Sequence, residues 1–169
     1  MSAARSRLND FVLKVANVNG TGSASANSLL MRSYFRMGLP VVGKNYFPSN
    51  IQGMPTWYEI RITKDGYSAR SGEVDIMLAM NAETYAQDIK EVAPGGYLIY
   101  DSTWPRQQAL SRPDITVIGI PLAQLCNDAF ANARVRILMK NMAYVGALAA
   151  LTNIDMAVIR SLIEETFAS

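Results

Sequence analysis

The chain has 169 residues, half of them apolar, and a formal net charge of +2. This length suits one domain with a continuous core, and the balanced charge excludes both a disordered chain and a strongly basic nucleic-acid-binding protein. The sequence has no histidine and one cysteine, which excludes disulfides, zinc sites, iron–sulfur ligation and imidazole catalysis on this chain. We therefore expect a single domain over residues 1–169.

The N-terminal segment lacks the features of a signal peptide. Residues 1–7 carry charge but no apolar h-region, and Asp10 interrupts the chain before the first apolar run. The longest charge-free apolar run, Met142–Leu151, is about half as long as a membrane span requires. We expect a cytoplasmic protein that binds neither membrane nor nucleic acid.

Short apolar runs bounded by Gly, Pro, Asn or Asp predict buried strands. They are Phe11–Val18, Val74–Met80, Tyr97–Tyr100 and Ile115–Ile120. Helical patterns lie between the strands. One helix carries Ala26, Leu29, Leu30, Ser33 and Met37 on one face and ends at Gly38, and a second covers Glu83–Val92 and ends before Pro94-Gly95-Gly96. This alternation predicts an α/β, Rossmann-like three-layer sandwich with a mostly parallel sheet.

One strand has a different pattern. Residues of Thr56–Thr63 alternate between apolar and polar, which predicts a half-exposed and antiparallel strand. The turn signal Lys64-Asp65-Gly66 follows it, so a hairpin or a short excursion leads to the buried strand at Val74.

The last third of the chain is predicted to be helical. A helical pattern covers Asp128–Ala150, and Asp155 is a candidate cap for a final helix. Small residues in the first of these helices would allow close packing either within the domain or against a partner subunit, and both interpretations stay open. Cys126 is expected to be a buried core thiol rather than a nucleophile.

A glycine turn, Asn19–Gly22, follows the first strand and precedes the first helix. Gly20 and Gly22 fill the first two places of the G-x-G-x-x-G pattern of dinucleotide sites. Ser25 stands in the third place, and no carboxylate follows the next strand until Glu59. The sequence therefore supports nicotinamide or flavin binding only weakly.

Two other interpretations of the glycine turn remain. The glycines can simply permit a tight turn, with Ser23 or Ser25 capping the helix. Alternatively, Thr21, Ser23, Ser25 and the free amides of the first helical turn can bind an anion, a ligand or a partner. Asp101 follows a predicted strand and could face the same crevice, although a helix-capping or loop role is favoured.

A polar loop, Tyr46–Gly53, precedes the alternating strand. Pro48, Gly53 and Pro55 impose an irregular backbone. The side chains that can form hydrogen bonds from this backbone are Tyr46, Ser49, Asn50 and Gln52. Core packing does not require so many amide and hydroxyl side chains, so the loop is predicted to be a binding site or an interface.

The glycine turn and the polar loop together resemble the gamma component of 2-oxoacid:acceptor (ferredoxin) oxidoreductases. In that family the first strand is followed by a turn like G-x-G-G-Q-G-V, whose first two glycines match Gly20 and Gly22. Residues 23–26 replace the rest of that motif. Tyr46, Pro48 and Gly53 match a later segment like Y-G-P-x-x-R-G-G, with glutamine and methionine where arginine and the second glycine are common.

The more specific signal lies in residues 47–61. They match throughout the phrase F-P-S-N-I-Q-G-x-P-T-W-Y-E-x-R, which recurs in the branch whose gamma domain is fused ahead of a thiamine-binding alpha domain. In a fused subunit the alpha domain would follow residue 169, so we expect either a separate gamma domain or a piece of a fused subunit.

The resemblance implies a share in the oxidative decarboxylation of a 2-oxoacid to its acyl-coenzyme A. It implies alpha and beta partner components and ferredoxin or a similar electron acceptor. Thiamine diphosphate, magnesium, an iron–sulfur cluster and coenzyme A would belong to the whole complex. No catalytic residue, metal site or cofactor is expected on this chain, which has neither cluster cysteines nor the G-D-G-containing diphosphate motif.

The sequence thus predicts a domain that is non-catalytic alone, docks to the thiamine-bearing components and shapes the approach of coenzyme A. The candidate cofactor-binding or docking residues are Gly20, Thr21, Gly22, Ser23, Ser25, Tyr46, Ser49, Asn50, Gln52 and Gly53. Two rival hypotheses remain, an independent NAD- or FAD-binding protein and a purely structural assembly module.

Overall fold

The computed structural model describes residues 9–47, 51–66, 72–104 and 107–167. The strands are β1 (Asp10–Val18), β2 (Val41–Tyr46), β3 (Pro55–Thr63), β4 (Val74–Ala79), β5 (Val92–Asp101) and β6 (Thr116–Ile120). The helices are α1 (Ser23–Arg36), α2 (Tyr85–Glu91), α3 (Leu122–Ala129), α4 (Ala133–Thr152) and α5 (Met156–Phe167), with short 3₁₀ turns at Ala82–Thr84 and Gln107–Leu110.

The six strands form one sheet in the order β2-β3-β1-β4-β5-β6. Strands β1, β4, β5 and β6 run parallel to one another, whereas β3 is antiparallel to both β1 and β2. Helices cover both faces of the sheet, and the predicted α/β three-layer fold with a mostly parallel sheet is confirmed. Within the described residues, no helix combines the length and the apolar character needed to cross a membrane.

The two faces of the sheet bury separate apolar clusters. Helices α1, α4 and α5 cover one face, where Leu13, Leu30, Ile60 and Leu148 are buried together. Helix α2 covers the other face, where Met77 and Ile89 belong to a second cluster. Apolar burial at roughly 25 cal/mol per Å² holds both layers on the sheet.

Helix α1 follows the predicted pattern. Ala26, Leu29, Leu30 and Ser33 are buried, as expected for residues three or four apart on one helix face. The helix ends before Gly38, whose φ of +82° suits glycine, and the amide of the next residue donates to a carbonyl of the last turn. Met37 was expected on the buried face but is 39% exposed, because it already lies outside the helix as its C-terminal cap.

Strand β3 is antiparallel as predicted, but it is more buried than its alternation indicates. Trp57 and Glu59, on the face opposite Ile60 and Ile62, are also buried, because this face too is covered. The hairpin is formed by β2 and β3, and the polar loop connects them. Strands β3 and β4 are not paired with each other, because β1 lies between them. Of the two predicted alternatives for the connection from β3 to β4, the short excursion therefore applies and the hairpin does not.

Three element boundaries differ from the predictions. The second helix is a 3₁₀ turn followed by α2, and Pro94-Gly95-Gly96 lies inside β5, next to a register shift in its pairing with β4. Strand β6, expected to be buried, is at the sheet edge and is largely exposed. The helix predicted over Asp128–Ala150 begins only at Ala133, as α4, because the side chain of Asn132 caps a helix start there, and residues 128 and 129 end α3.

Other predictions for this part of the chain hold. The carboxylate of Asp155 accepts a hydrogen bond from the amide of Ala157 at 2.8 Å and so caps α5. Cys126 is 4% exposed, and burial raises the pKa of its thiol. This buried thiol has the character of a core residue rather than of a nucleophile.

Candidate functional site

The structure brings the glycine turn and the end of the polar loop together at the carboxyl end of β1. Asn19 makes the connection. Its amide donates to the carbonyl of Met54 at 2.8 Å, and its carbonyl accepts from the amide of Gly53 at 3.0 Å. Its side-chain amide donates to the carbonyl of Ile51 at 3.2 Å. The two segments therefore form one surface, although about 30 residues separate them in the chain.

Gly20 and Gln52 meet where the two segments touch. Gly20 has a φ of +87°, a left-handed conformation that favours glycine. A Cβ atom on Gly20 would lie 2.6 Å from Cγ of Gln52, so the side chain of Gln52 occupies the space that glycine leaves open. Gln52 and Gly53 are exposed to solvent. Ser49 and Asn50, two further predicted site residues, lie outside the described residues.

The start of α1 is built differently from the prediction. Gly22, with a φ of +80°, is the N-terminal cap, and within the described chain no side chain caps the helix from that position. Because Gly22 takes the capping position, the interpretation in which Ser23 or Ser25 caps the helix is wrong; Ser23 is buried and Ser25 is exposed. A Cβ atom on Gly22 would lie 2.6 Å from Cδ2 of Leu138 in α4, so this glycine allows α4 to approach the turn.

Helix α4 also holds the glycine turn through a buried amide. Asn141 is 2% exposed, and its Nδ2 donates to the carbonyl of Thr21 at 2.8 Å. Its Oδ1 accepts from Nδ2 of Asn17, a buried residue of β1, at 3.4 Å. The hydroxyl of Thr21 donates to the carbonyl of Val18 at 2.8 Å and is therefore used within the turn. Each such bond contributes about 1 kcal/mol, and losing one partner would leave the other buried and unsatisfied.

A second contact from α4 holds the N-terminal half of α1. The hydroxyl of Tyr144 donates to Oδ1 of Asn27 at 3.0 Å, and both residues are buried. Burial raises the pKa of Tyr144, so this hydroxyl is protonated throughout the physiological range. Two helices and one strand thus position the glycine turn rigidly.

Sequence reasoning missed four residues of this arrangement, namely Asn17, Asn27, Asn141 and Tyr144. A signal was nevertheless present, because Asn17 and Asn141 are amides within otherwise apolar strand and helix patterns. Buried polar groups in such positions need partners, so each of them points to a specific contact.

Tyr46 belongs to a different group of side chains. Its ring lies 5.6 Å from Nζ of Lys14 and 5.1 Å from Nζ of Lys44. Lys14 also lies 6.0 Å from the ring of Trp57 and forms an ion pair with Glu91 on α2. Tyr46 is thus part of a cation–aromatic cluster on the α2 face of the sheet.

Asp101 has the capping role that was favoured for it. Its carboxylate accepts from the amide of Ala123, at 3.2 and 3.3 Å, and from the hydroxyl of Thr103 at 2.6 Å. It therefore caps the start of α3 from the end of β5, and Lys140 lies 3.9 Å away.

The groups at the joined turns are neutral hydrogen-bonding groups rather than acids, bases or nucleophiles. In the described part of the chain no three His, Cys, Asp or Glu side chains lie together as metal ligands. The single, buried Cys126 does not fit an iron–sulfur cluster, which needs several thiolates.

The geometry also disfavours a dinucleotide at the glycine turn. In such sites the second glycine lets the pyrophosphate approach the backbone, but here Leu138 occupies that position. The end of β2 also lies away from the glycine turn at the end of β1, because β3 lies between β1 and β2. On that side of β1 the described sheet has the antiparallel strand β3 where a dinucleotide site has the parallel strand whose acidic end binds the ribose.

Comparison with known proteins gives a consistent result. A model of the family described as pyruvate ferredoxin/flavodoxin oxidoreductase matches residues 12–169. The chain is 32% identical over 92 residues to subunit alpha of 2-oxoacid:ferredoxin oxidoreductase 2 from Aeropyrum pernix, and 30% identical over 112 residues to subunit alpha of 2-oxoacid:ferredoxin oxidoreductase 1 from that organism. The matches cover 54% and 63% of this chain, and the chain spans only 14% and 17% of these relatives.

Three solved structures share the fold. A 2-oxoglutarate:ferredoxin oxidoreductase from Magnetococcus marinus, with 2-oxoglutarate, coenzyme A and succinyl-CoA bound, matches with a TM-score of 0.82 and 24% identity over 95% of this chain and 27% of its own. A pyruvate oxidoreductase subunit from Thermotoga maritima matches with a TM-score of 0.75 and 15% identity, over 94% and 86% of the two chains.

The third structure is the gamma subunit of a keto/oxoacid ferredoxin oxidoreductase from Geobacter sulfurreducens, with a TM-score of 0.70 and 15% identity over 92% and 85% of the two chains. The resemblance inferred from the glycine turn and the polar loop is thereby confirmed. Because the family match extends from β1 to the C-terminal end, this chain belongs to the pyruvate ferredoxin/flavodoxin oxidoreductase family.

Proposed function

We propose that this chain is a gamma-type component of a 2-oxoacid:ferredoxin, or similar acceptor, oxidoreductase, and that it docks to the thiamine-bearing components without catalysing the reaction alone. The joining of the glycine turn to the polar loop by Asn19 carries this proposal. The described parts of the two segments that bear the family motifs, the glycine turn and residues 51–53, lie side by side, and their exposed residues suit an interface.

The reaction of the whole enzyme would convert a 2-oxoacid and coenzyme A into an acyl-coenzyme A and carbon dioxide. Two electrons would pass to ferredoxin or a similar acceptor, and one proton would be released. Support for a non-catalytic share comes from the residues of this chain, since it has no histidine and its only cysteine is buried. The chemistry is therefore assigned to the alpha and beta components and their cofactors.

Residues 1–169 would act as one gamma-type domain, with Gly20, Thr21, Gly22, Ser23, Ser25, Gln52 and Gly53 at or beside the docking surface. We infer that coenzyme A passes near this surface and that the domain shapes its approach. The exposed residues at the start of α1, Ala24 and Ser25, offer backbone amides that suit a phosphate or a carbonyl oxygen. The hydrogen-bond donors at the start of α1 are neutral. We therefore propose that they position coenzyme A and contribute little to its affinity.

The test is a binding titration against purified thiamine-bearing components from the same organism. We expect the double variant Asn50→Ala with Gln52→Ala to bind about tenfold more weakly, because it removes two amides from the polar loop. The matched control is Gln87→Ala, an exposed amide on α2 at the other face of the sheet. Equal affinity of the double variant and the control would contradict docking through the polar loop.

The rival hypothesis, an independent NAD- or FAD-binding protein, predicts that the isolated chain binds one of these nucleotides. Micromolar binding of NAD or FAD to the isolated chain, measured by calorimetry, would support it. The side chains of Gln52 and Leu138 over the two glycines lead us to expect no such binding.

A further inference from the structure

A groove with two cavities lies beside the first half of α4. One cavity, of about 340 Å³, lies between α3 and α4 and is lined by Ala123, Cys126, Ala133 and Ile137 among others. The second, of about 330 Å³, lies at the carboxyl ends of β4 and β5 and is lined by Met80 and Tyr85 among others. Trp104 and Lys140 line both cavities, so the two are adjacent; we call them together the α4 groove.

The groove is apolar but carries positive charge. Lys140 lies between its two halves, and Arg136 lines the half between α3 and α4. Asp101 also lines the groove and forms an ion pair with Lys140 at 3.9 Å, so the two cations Lys140 and Arg136 and this one acid leave one net positive charge. From residue 129 to residue 140 the sequence has three cations and no acid. A bound group with a carboxylate would therefore be attracted to the centre of the groove.

The walls of the groove resemble a protein interface more than a small-molecule site. Trp104 is 57% exposed and Ile137 is 49% exposed. Small ligands are usually enclosed over most of their surface, whereas exposed tryptophan and arginine side chains beside apolar pockets are typical anchors between proteins. Each cavity is large enough to hold one large apolar side chain, and the cation Lys140 lines both cavities.

We propose that the α4 groove binds a segment of another component of the enzyme, in which two large apolar side chains flank an acidic residue. The proposal rests on the proposed function. A second copy of this chain is a poor occupant, because the basic α4 of one copy would face the basic α4 of the other. A similar fold forms about a quarter of the longer Magnetococcus marinus chain, so this fold also occurs within a longer chain.

The groove adjoins the surface assigned to docking. Lys140 precedes Asn141, whose side chain holds the glycine turn through the carbonyl of Thr21. Leu138, one turn of the helix earlier, contacts Gly22. Occupation of the groove and docking of the joined turns would therefore involve adjacent sides of one helix and form one continuous interface.

The test is a titration of full-length chains against the purified thiamine-bearing components, in low and high salt. Ile137→Glu adds an acid to an apolar wall, and Ala133→Trp fills one cavity from an exposed position at the start of α4. We expect each to weaken binding about tenfold or more. Lys140→Met should weaken the dependence of binding on salt. Met156→Glu, at a residue 57% exposed on α5, is the matched control and should bind like the unaltered chain.

The outcomes separate the two proposals. If Ile137→Glu and Ala133→Trp bind within twofold of the unaltered chain, the groove proposal is wrong and the proposed function stands. An equal loss in Met156→Glu would also overturn the groove proposal, because the effect would not be local. Absence of binding by the unaltered chain would overturn both. If the unaltered chain is a dimer that Ile137→Glu dissociates, in sedimentation measurements, a second copy is the occupant and the proposal fails.

Discussion

The two faces of the sheet are buried by different means. The face under α1, α4 and α5 is buried mainly by aliphatic side chains and two tyrosines. The face under α2 also buries charged side chains, including Lys14, Glu59 and Asp88, each no more than 7% exposed. The first face also has buried polar contacts, but those of Asn17, Asn141 and Tyr144 are neutral hydrogen bonds, so the two faces differ in whether they bury charge.

The polar contacts of the α2 face connect the sheet to the helix. Nε1 of Trp57 donates to Oδ1 of Asp88 at 2.8 Å, and the hydroxyl of Thr84 donates to Oδ2 at 2.6 Å. Lys14 forms its ion pair with Glu91, one turn further along α2. Burial raises the pKa of Asp88, and the hydrogen bonds from Thr84 and Trp57 oppose this increase. Stability on this face should therefore depend on pH, whereas stability on the other face should depend on volume.

The largest effect is expected on the apolar face. Leu30 is fully buried there, and Leu30→Ala should lower the free energy of unfolding by about 3 kcal/mol, because it removes apolar contacts and leaves a cavity. Chemical denaturation measures the change. Leu30→Met, which nearly conserves volume, is the control and should cost less than about 1.5 kcal/mol. A loss below 1 kcal/mol for the alanine variant would show that this face is not closely packed.

A smaller, pH-dependent effect is expected on the α2 face. Since the pKa of Asp88 is raised on folding, the folded chain keeps a proton that the unfolded chain releases above about pH 4. The contribution of this carboxyl to stability is therefore present at low pH and is lost as the pH rises through its folded pKa. Asp88→Asn should remove that loss, so its stability relative to the unaltered chain should increase from pH 4 to neutral pH in denaturation curves.

The control for Asp88→Asn is Asp114→Asn, whose relative stability should change with pH in the opposite direction. Hydrogen bonds from Arg112 lower the pKa of the exposed Asp114, so its contribution is present above the unfolded pKa and is lost as the pH falls. Asp114→Asn should thus lose stability relative to the unaltered chain as the pH rises. If the stabilities of both variants change with pH in the same direction, the opposite pKa shifts assigned to Asp88 and Asp114 are wrong.

The apolar face was largely predictable, and the charged face was not. Residues such as Leu29 and Leu30 recur at helical spacing, so the periodicity alone places them on a buried face. Glu59 lies on the polar side of an alternating strand, a pattern typical of exposure, and only the covering of that face buries it. Burial of a charge depends on partners from distant elements, which periodicity does not encode.

The same distinction applies to the docking surface. Glycines and a polar loop with prolines are local signals, so Gly20, Gly22 and Gln52 could be selected from the sequence. The contact between Gly20 and Gln52 depends on the hairpin register of β2 and β3, and the contacts of Asn141 depend on where α4 packs. The expected serine caps were wrong because Gly22 takes the capping position.

The central claim is that this chain contributes to turnover only together with thiamine-bearing components. The direct measurement is 2-oxoacid- and coenzyme A-dependent reduction of an electron acceptor, with thiamine diphosphate and magnesium present. We predict no turnover by the chain alone and a saturable increase when it is added to alpha and beta components that lack it. Turnover by the isolated chain, or unchanged activity of the other components when it is added, would contradict the account.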